Sequence, residues 1–410
     1  MSLRWWRLAG RNLLRHRRRT FLTGSIVVVG FVAVTMTAGF IVQTFRALRE
    51  ATIDALGGHV RLFDPRAEGK TDEEAQSYLI DDWEGLARLV RKDPRVVRVM
   101  PKLSFFGLAA NGERSVAYLG TGTEPDLEAA SGFAPDLVVA GRFFSKPEAD
   151  EVMLGAGLAR SLGATPGDLV TVMTTATDGS LNAVDATVVA ILQYPVKEMD
   201  DRVLFLPYRS AARLLKAEGK VHVLAVRLSR DEETDAAARS IAGSARGAGR
   251  PVAVKTWLET AAFYKQVRLL YIGIFFFTGL VLAVVVILAV ANTMTMSVFE
   301  RTREIGTLLA IGMERGQVKK LFLLEGLLLA AAGTLLGAVL SLLFRAGLNA
   351  LSIQMPPPPG GTRGTLLYIR FFPIAYGAGF LLMTATLLLA SWWPARRASR
   401  LNPVEALAHV

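Results

Sequence analysis

The sequence predicts an α-helical membrane protein with four transmembrane helices and a large α+β extracytoplasmic domain inserted between helices 1 and 2. Three observations carry this expectation. Of 410 residues, 51% are hydrophobic and 20% charged, against about 25% charged in an ordinary soluble chain. Four windows are apolar over the roughly 20 residues that a helix needs to cross a bilayer core: 21–45, 269–299, 321–344 and 371–395, with Glu325 as the one charge inside them. The net charge of +11 is also unevenly placed: residues 46–268 hold 29 basic and 31 acidic side chains, so the rest of the chain carries +13.

That distribution excludes several classes. A nucleic-acid binder concentrates positive charge on its folded domain, and here the folded domain is slightly acidic. Without cysteine there is no disulfide framework, thiolate metal site or cysteine nucleophile. His16, His59, His222 and His409 are too scattered for a histidine-rich metal centre. The nearest approach to a nucleotide-binding P-loop, Gly249 to Thr256, has Val254 where the second glycine is needed for amides to reach phosphate. Asp81-Asp82 and Asp200-Asp201 read as solvated loop carboxylates before they read as a cation site. Neither a cofactor nor an enzymatic activity is expected in this chain.

Residues 1–20 read as a cytoplasmic amphipathic helix. Arg4, Arg7, Arg11, Arg15 and Arg18 recur at steps of three and four, and Trp5 and Trp6 suit the headgroup level of membrane lipid. An interfacial anchor is the plain reading, and a contact with a cytoplasmic partner the sharper one. The apolar run of helix 21–45 exceeds the 7–15 residues of a signal-peptide core, so it is expected to stay as an anchor. Seven arginines precede it, five basic residues fill 300–320, and Arg396, Arg397 and Arg400 lie in 396–410. The 345–370 loop holds three arginines. The positive-inside rule then places both termini in the cytoplasm and residues 46–268 outside.

In 46–268, Asp82–Val97 reads as helical up to the region of Pro94. Val96–Met100, Leu169–Met173, Ala186–Leu192 and Val221–Leu228 read as strands, and Thr234–Ala245 as a helix. A two-lobed arrangement parting near 140–150 is one alternative. The segment Met173 to Val184 is either an outer loop that meets a carrier or an ordinary hairpin. Past helix 269–299, the run Glu300-Arg301-Thr302-Arg303-Glu304-Ile305-Gly306, charged at 300, 301, 303 and 304, suggests a helix continuing to Gly306 or Gly312, and Leu308, Leu309, Ile311 and Met313 supply an apolar set. A short amphipathic helix of this kind either docks in another protein's groove or is an ordinary basic loop. Glu325, about 7 Å up its helix from Lys320, is expected to reach the interface or to pair with Lys319 or Lys320; a proton relay or substrate contact is the alternative. Gly333 and Gly337 have the spacing that admits a close helix neighbour, in a dimer or within the chain. Pro356 to Pro359 read as a stiff spacer.

Asn292 to Met313, followed by Phe322-Leu-Leu-Glu325-Gly, closely resembles the FtsX-type permease domain, as does the tail Trp393 to Leu407. Leu154 to Gly163, Pro166 to Val170, and Val189 through Asp201 resemble the MacB-type periplasmic core domain. The resemblance implies a permease subunit of a type VII ABC transporter in the bacterial inner membrane, a family that includes macrolide-exporting, lipoprotein-releasing and cell-division branches. It implies that Glu300–Met313 is a coupling helix seated on a separate ABC ATPase subunit, which would hold ATP and magnesium. It further implies a dimer with a second copy or a paralogue, and a periplasmic carrier or adaptor protein as a further partner. Export or extraction of a lipoprotein, lipid, peptide or hydrophobic drug is the expected function. The alternative is a division-type regulator that mechanically activates a cell-wall hydrolase; that branch usually has a much smaller outer domain.

Overall fold

The computed structural model describes residues 3–15, 17–70, 72–124, 137–194, 196–357, 362, 364–402 and 406. It divides into two compact units, one formed by Met1–Arg46, Val267–Ile353 and Leu366–Val410, the other by Ala47–Gln266 with Gln354–Thr365.

The first unit is helical. After a helix over Leu3–Arg15 come Arg17–Leu56, Ala262–Glu300, Arg315–Ala350 and Pro373–Ala398, each long and apolar enough to cross a membrane. They extend past most edges of the apolar windows because the flanking Arg, Ala and Leu residues favour helix as strongly as the apolar core does. Pro373 opens the last helix at its first turn, where its missing N–H costs nothing. Val27, Val290, Met294, Leu329, Ala330 and Leu387 join all four helices in one buried cluster. The close neighbour of Gly333 and Gly337 is the first helix of the same chain. A Cβ on Gly333 would stand 2.9 Å from Val27 Cγ1, and one on Gly337 3.1 Å from Phe31 Cβ. Further along, Thr35, Ser341 and Tyr376 form a hydroxyl chain at 2.8 and 3.0 Å.

The second unit is a mixed sheet of ten strands: β1 Val60–Phe63, β2 Val96–Asn111, β3 Arg114–Thr123, β4 Val138–Gly141, β5 Glu151–Gly155, β6 Leu169–Thr175, β7 Leu181–Leu192, β8 Val203–Pro207, β9 Val223–Leu228 and β10 Ala253–Thr256. Its first lobe has the order β10-β1-β9-β2, entirely antiparallel. Helices Trp83–Val90 and Thr234–Gly247 cross between β1 and β2 and between β9 and β10, a β-α-β-β-α-β pattern. The second lobe is threaded between β2 and β9. There β2 pairs β3, β3 pairs β8, β8 pairs β5, β5 pairs β7, β7 pairs β6, and β6 returns to β2. The ring closes at Gly107, where a Cβ would lie 1.9 Å from the Met173 carbonyl oxygen.

Three sequence expectations change. The lobes part within β2, whose Val96–Lys102 half faces β9 and whose Leu103–Asn111 half faces β3, and not near 140–150. The Gly and Pro residues there form a loop tied into the second lobe: Arg142 and Ser145 donate to Glu151 at 2.7 and 2.8 Å. The helix expected to Val97 ends at Val90. Beyond it Asp93 accepts from the Arg95 side chain at 2.7 Å, which holds its carboxyl below the usual carboxylate range. The strand expected over Val96–Met100 runs on to Asn111, with Pro101 paired to Leu224 in register. Residues Met173 to Val184 form the β6–β7 hairpin, closed by Ala176 N–H to the Ser180 carbonyl at 2.8 Å. Of the proline run, Pro358, Pro359, Gly360 and Gly361 lie outside the described residues.

Candidate functional site

The helix that begins at Ala262 stops at Glu300, and a separate helix covers Thr302–Ala310. The expected continuous helix is therefore broken at Arg301, whose φ of −109° and ψ of 13° leave helical geometry. Thr302 anchors the break, its hydroxyl donating back to the Val298 and Phe299 carbonyls at 3.0 and 2.9 Å. At the other end Gly312 takes φ +99°. Its N–H bonds the Leu309 carbonyl at 3.1 Å, and the N–H of Met313 bonds that of Leu308 at 3.0 Å. That is a Schellman stop, which needs a left-handed residue and so favours glycine.

One face of this nine-residue helix is seated. Ile305 is buried with Val298, Val318, Phe322, Ala395 and Ala398, and Leu309 and Met313 pack at the edge. Gly306 is buried against the chain's tail, where an added Cβ would stand 2.7 Å from the Ala406 Cβ. Arg303, Glu304, Thr307, Ala310 and Ile311 are exposed, Ile311 to 78%. Buried positions 302, 305 and 306, with 309 partly buried, follow the period of one helical face.

The seat is locked by charge. The Arg301 guanidinium, 5% exposed, donates to both oxygens of Glu325, 1% exposed, at 3.1 and 3.2 Å. It also reaches Glu304 at 3.1 Å through Nε and stacks over the Phe322 ring at 5.4 Å. Asn12 Nδ2 donates to Glu325 at 2.7 Å, and Arg15 meets Glu304 at 3.3 Å. A buried carboxylate in an apolar helix is costly unless paired and hydrogen-bonded; here Arg301 from the helix break and Asn12 from the Leu3–Arg15 helix satisfy it.

Glu325 thus pairs with Arg301 and Asn12, and not with Lys319 or Lys320. Those lysines lie six and five positions back, off the face of Glu325, and Lys319 sits over the Trp392 ring at 5.4 Å. The structure brings together Arg301, Glu304, Ile305, Gly306, Leu309, Met313 and Glu325. Arg303 and Glu300 point away on the exposed side, and Gly333 and Gly337 lie elsewhere in helix packing. Sequence reasoning missed Asn12, Arg15, Phe322 and Ala406. An amide in an arginine-rich stretch, the one polar uncharged residue among Arg11, Leu13 and Leu14, was the only hint. Among the described residues no cluster of three or more His, Asp or Glu could hold a metal ion.

Comparison with known proteins gives this arrangement its context. Residues 20–243 match the model of the MacB-like periplasmic core domain, and residues 275–403 that of the FtsX-like permease C-terminal domain. Over 121 residues, 30% of this chain, the sequence is 40% identical to the macrolide export ATP-binding/permease protein MacB of Sodalis glossinidius (strain morsitans) and 41% identical to that of Escherichia coli (strain K12). The match spans only 17% of the length of those relatives. Among solved structures, the periplasmic region of MacB from Actinobacillus actinomycetemcomitans aligns at 14% identity and a TM-score of 0.36, covering 51% of this chain and 93% of that one. The extracellular domain of the transporter YknZ from Gram-positive bacteria aligns at 14% identity and 0.34, covering 48% and 99%. With the core-domain match extending over more than half of its residues, the chain belongs to the family of MacB-like periplasmic core domain proteins, joined here to an FtsX-like permease domain.

Proposed function

We propose that this chain is the permease subunit of an ABC transporter in the bacterial inner membrane, working as a dimer with a second copy or a paralogue. ATP and magnesium are assigned to a separate ATPase subunit, and both termini to the cytoplasmic side. The transporter exports or extracts a lipoprotein, lipid, peptide or hydrophobic drug from the outer leaflet or periplasm. One observation carries the reading: the Thr302–Ala310 helix is seated on one face by Ile305, Gly306 and Arg301 and bare on the other. A short helix held this way suits a partner's groove. A push on it passes through Arg301 and Glu325 to the Arg315–Ala350 helix, and through Ile305 and Gly306 to the last helix and the tail.

The test is co-expression with a partner ABC ATPase subunit and purification in mild detergent. Arg303→Glu and Ile311→Asp change only exposed side chains, so the helical unit keeps its melting behaviour. Both variants are expected to lose co-elution and to release ATP turnover from the permease's influence. Unchanged co-elution and turnover would overturn the coupling assignment.

A further inference from the structure

We propose that the helical unit binds the phosphate headgroup of an anionic phospholipid in the groove between the Leu3–Arg15 and Thr302–Ala310 helices. The groove is open, about 830 Å³, and sets Arg11, Arg15 and Arg301 beside Leu8, Leu14 and Leu308. Glu304 is the single acid on its wall, and Arg301 is met from behind by Glu325, so Arg11 and Arg15 are left to face one carboxylate. Arg301 is committed to Glu325 and Glu304, and Arg15 to Glu304 alone. Arg11 has no ion pair among the described residues. Arg11 and Arg15 stand one helical turn apart, about 6 Å along the axis. A phosphodiester between them can accept from both forks in the bidentate manner that guanidinium favours.

The apolar half of the groove selects a lipid over a soluble anion. Leu8 is 44% and Leu14 69% exposed, and Phe21 and Leu22, which open the first apolar window, are 74% and 62% exposed. An acyl chain covers that strip while its headgroup meets the arginines. Basic pockets at the ends of membrane helices take anionic headgroups by this chemistry. The phosphate would compete with Glu304 for Arg15, tying lipid occupancy to the network that seats the short helix.

The inference rests on the membrane placement proposed above and not on ATPase coupling, so it is tested on the full chain purified without any ATPase. Short-chain phosphatidylglycerol and phosphatidylcholine are titrated in detergent, and binding is read by native mass spectrometry. Phosphatidylglycerol is expected to bind about tenfold more tightly, and Arg11→Gln with Arg15→Gln to remove that preference. Arg7→Gln with Arg18→Gln, exposed arginines off the groove, is expected to keep it. Arg11→Gln alone, which breaks no contact, gives a partial loss if the double variant fails to fold. Equal binding of both lipids, or equal loss in both double variants, would overturn the site in favour of diffuse surface charge. Displacement by glycerol phosphate at the lipid's own concentration would show a soluble phosphate site and overturn the lipid assignment. Displacement of the lipid by added ATPase subunit, with no headgroup preference in its absence, would make the groove a protein contact and overturn it equally.

Discussion

Replacing Glu325 with leucine tests whether the buried charge holds the short helix in place. Leucine is close to glutamate in volume, so E325L removes charge and acceptors with little change in packing. It strands the Arg301 guanidinium, 5% exposed, with Glu304 as its one remaining carboxylate. Removing one partner of a buried pair costs about 3–5 kcal/mol. Because Glu304 is 44% exposed and can lead Arg301 toward water, the lower end is expected. The cost falls on local opening of the Thr302–Ala310 seat. A native chain without cysteine allows a clean reporter, I305C, placed where Ile305 is 2% exposed. If modification follows transient opening, maleimide labelling of I305C should accelerate about 150-fold in the E325L background, the factor that 3 kcal/mol represents. Arg301→Met should act similarly by stranding Glu325. The double variant R301M/E325L should fall back toward the slow rate, because neither charge is left unpaired. Labelling within about threefold of the parent in E325L would refute the reasoning, as would a double variant as open as the sum of the singles.

Three further outcomes follow from the geometry. Gly107→Ala should destabilise the strand domain by about 3 kcal/mol, the top of the range for overpacking, because the added methyl meets the Met173 backbone oxygen at 1.9 Å; chemical denaturation showing under about 1 kcal/mol would count against ring closure there. Gly333→Ile should lower the melting temperature in detergent by pushing Val27 away, while Gly316→Ile, with nothing within 4 Å, should not; equal effects would deny the helix contact. Burial holds His59 and His222 below 6.5. In each ring Nδ1 accepts a backbone N–H, from Leu228 at 3.2 Å and Ser104 at 3.1 Å, so a second proton has no acceptor. The unfolded chain binds the proton first, so stability is full above pH 6.5 and declines below it by up to about 1.4 kcal/mol per pH unit for each histidine. A denaturation midpoint, followed through Trp83 and Trp257, that stays flat from pH 7.5 to 5.5 would refute this.

The parts of the molecule written in one contiguous stretch were legible in the sequence. Four apolar windows gave four helices, and the runs at Leu169, Ala186, Val221 and Thr234 gave elements of the expected type. Of the apolar set expected at Leu308, Leu309, Ile311 and Met313, Leu309 and Met313 pack inward, whereas Ile311 is 78% exposed because the helix has already ended at Ala310. What failed were the pairings between distant residues. The ring of the second lobe depends on β6 returning to β2, sixty residues earlier, and no local pattern specifies that closure. The Glu325 partner was misassigned for a similar reason. Nearness in sequence favoured Lys319 and Lys320, while helical phase turns both away, and Arg301 reaches the carboxylate only because the chain breaks beside it. The break itself left one readable sign, a threonine after an arginine at the end of an apolar run, where a hydroxyl can bond back to the preceding turn.

The buried pair also says what kind of work this end of the molecule does. Stability alone does not explain it, since apolar side chains of similar volume would serve as well or better at Arg301 and Glu325. What an ion pair adds is direction. Nη1 of Arg301 bonds both oxygens of Glu325, Asn12 adds a second donor to Oε1 of that carboxylate, and Nε of Arg301 bonds Glu304 in the first turn of the short helix. A greasy seat would let that helix slide along its axis; a hydrogen-bonded one fixes its register against the Arg315–Ala350 helix. The elements so joined are the Leu3–Arg15 helix, the Thr302–Ala310 helix and the third apolar helix. With Gly306 against Ala406, the tail is held to the same element. The hydrogen-bonded seat thus fixes the register of an element whose Arg303, Thr307 and Ala310 side stays exposed.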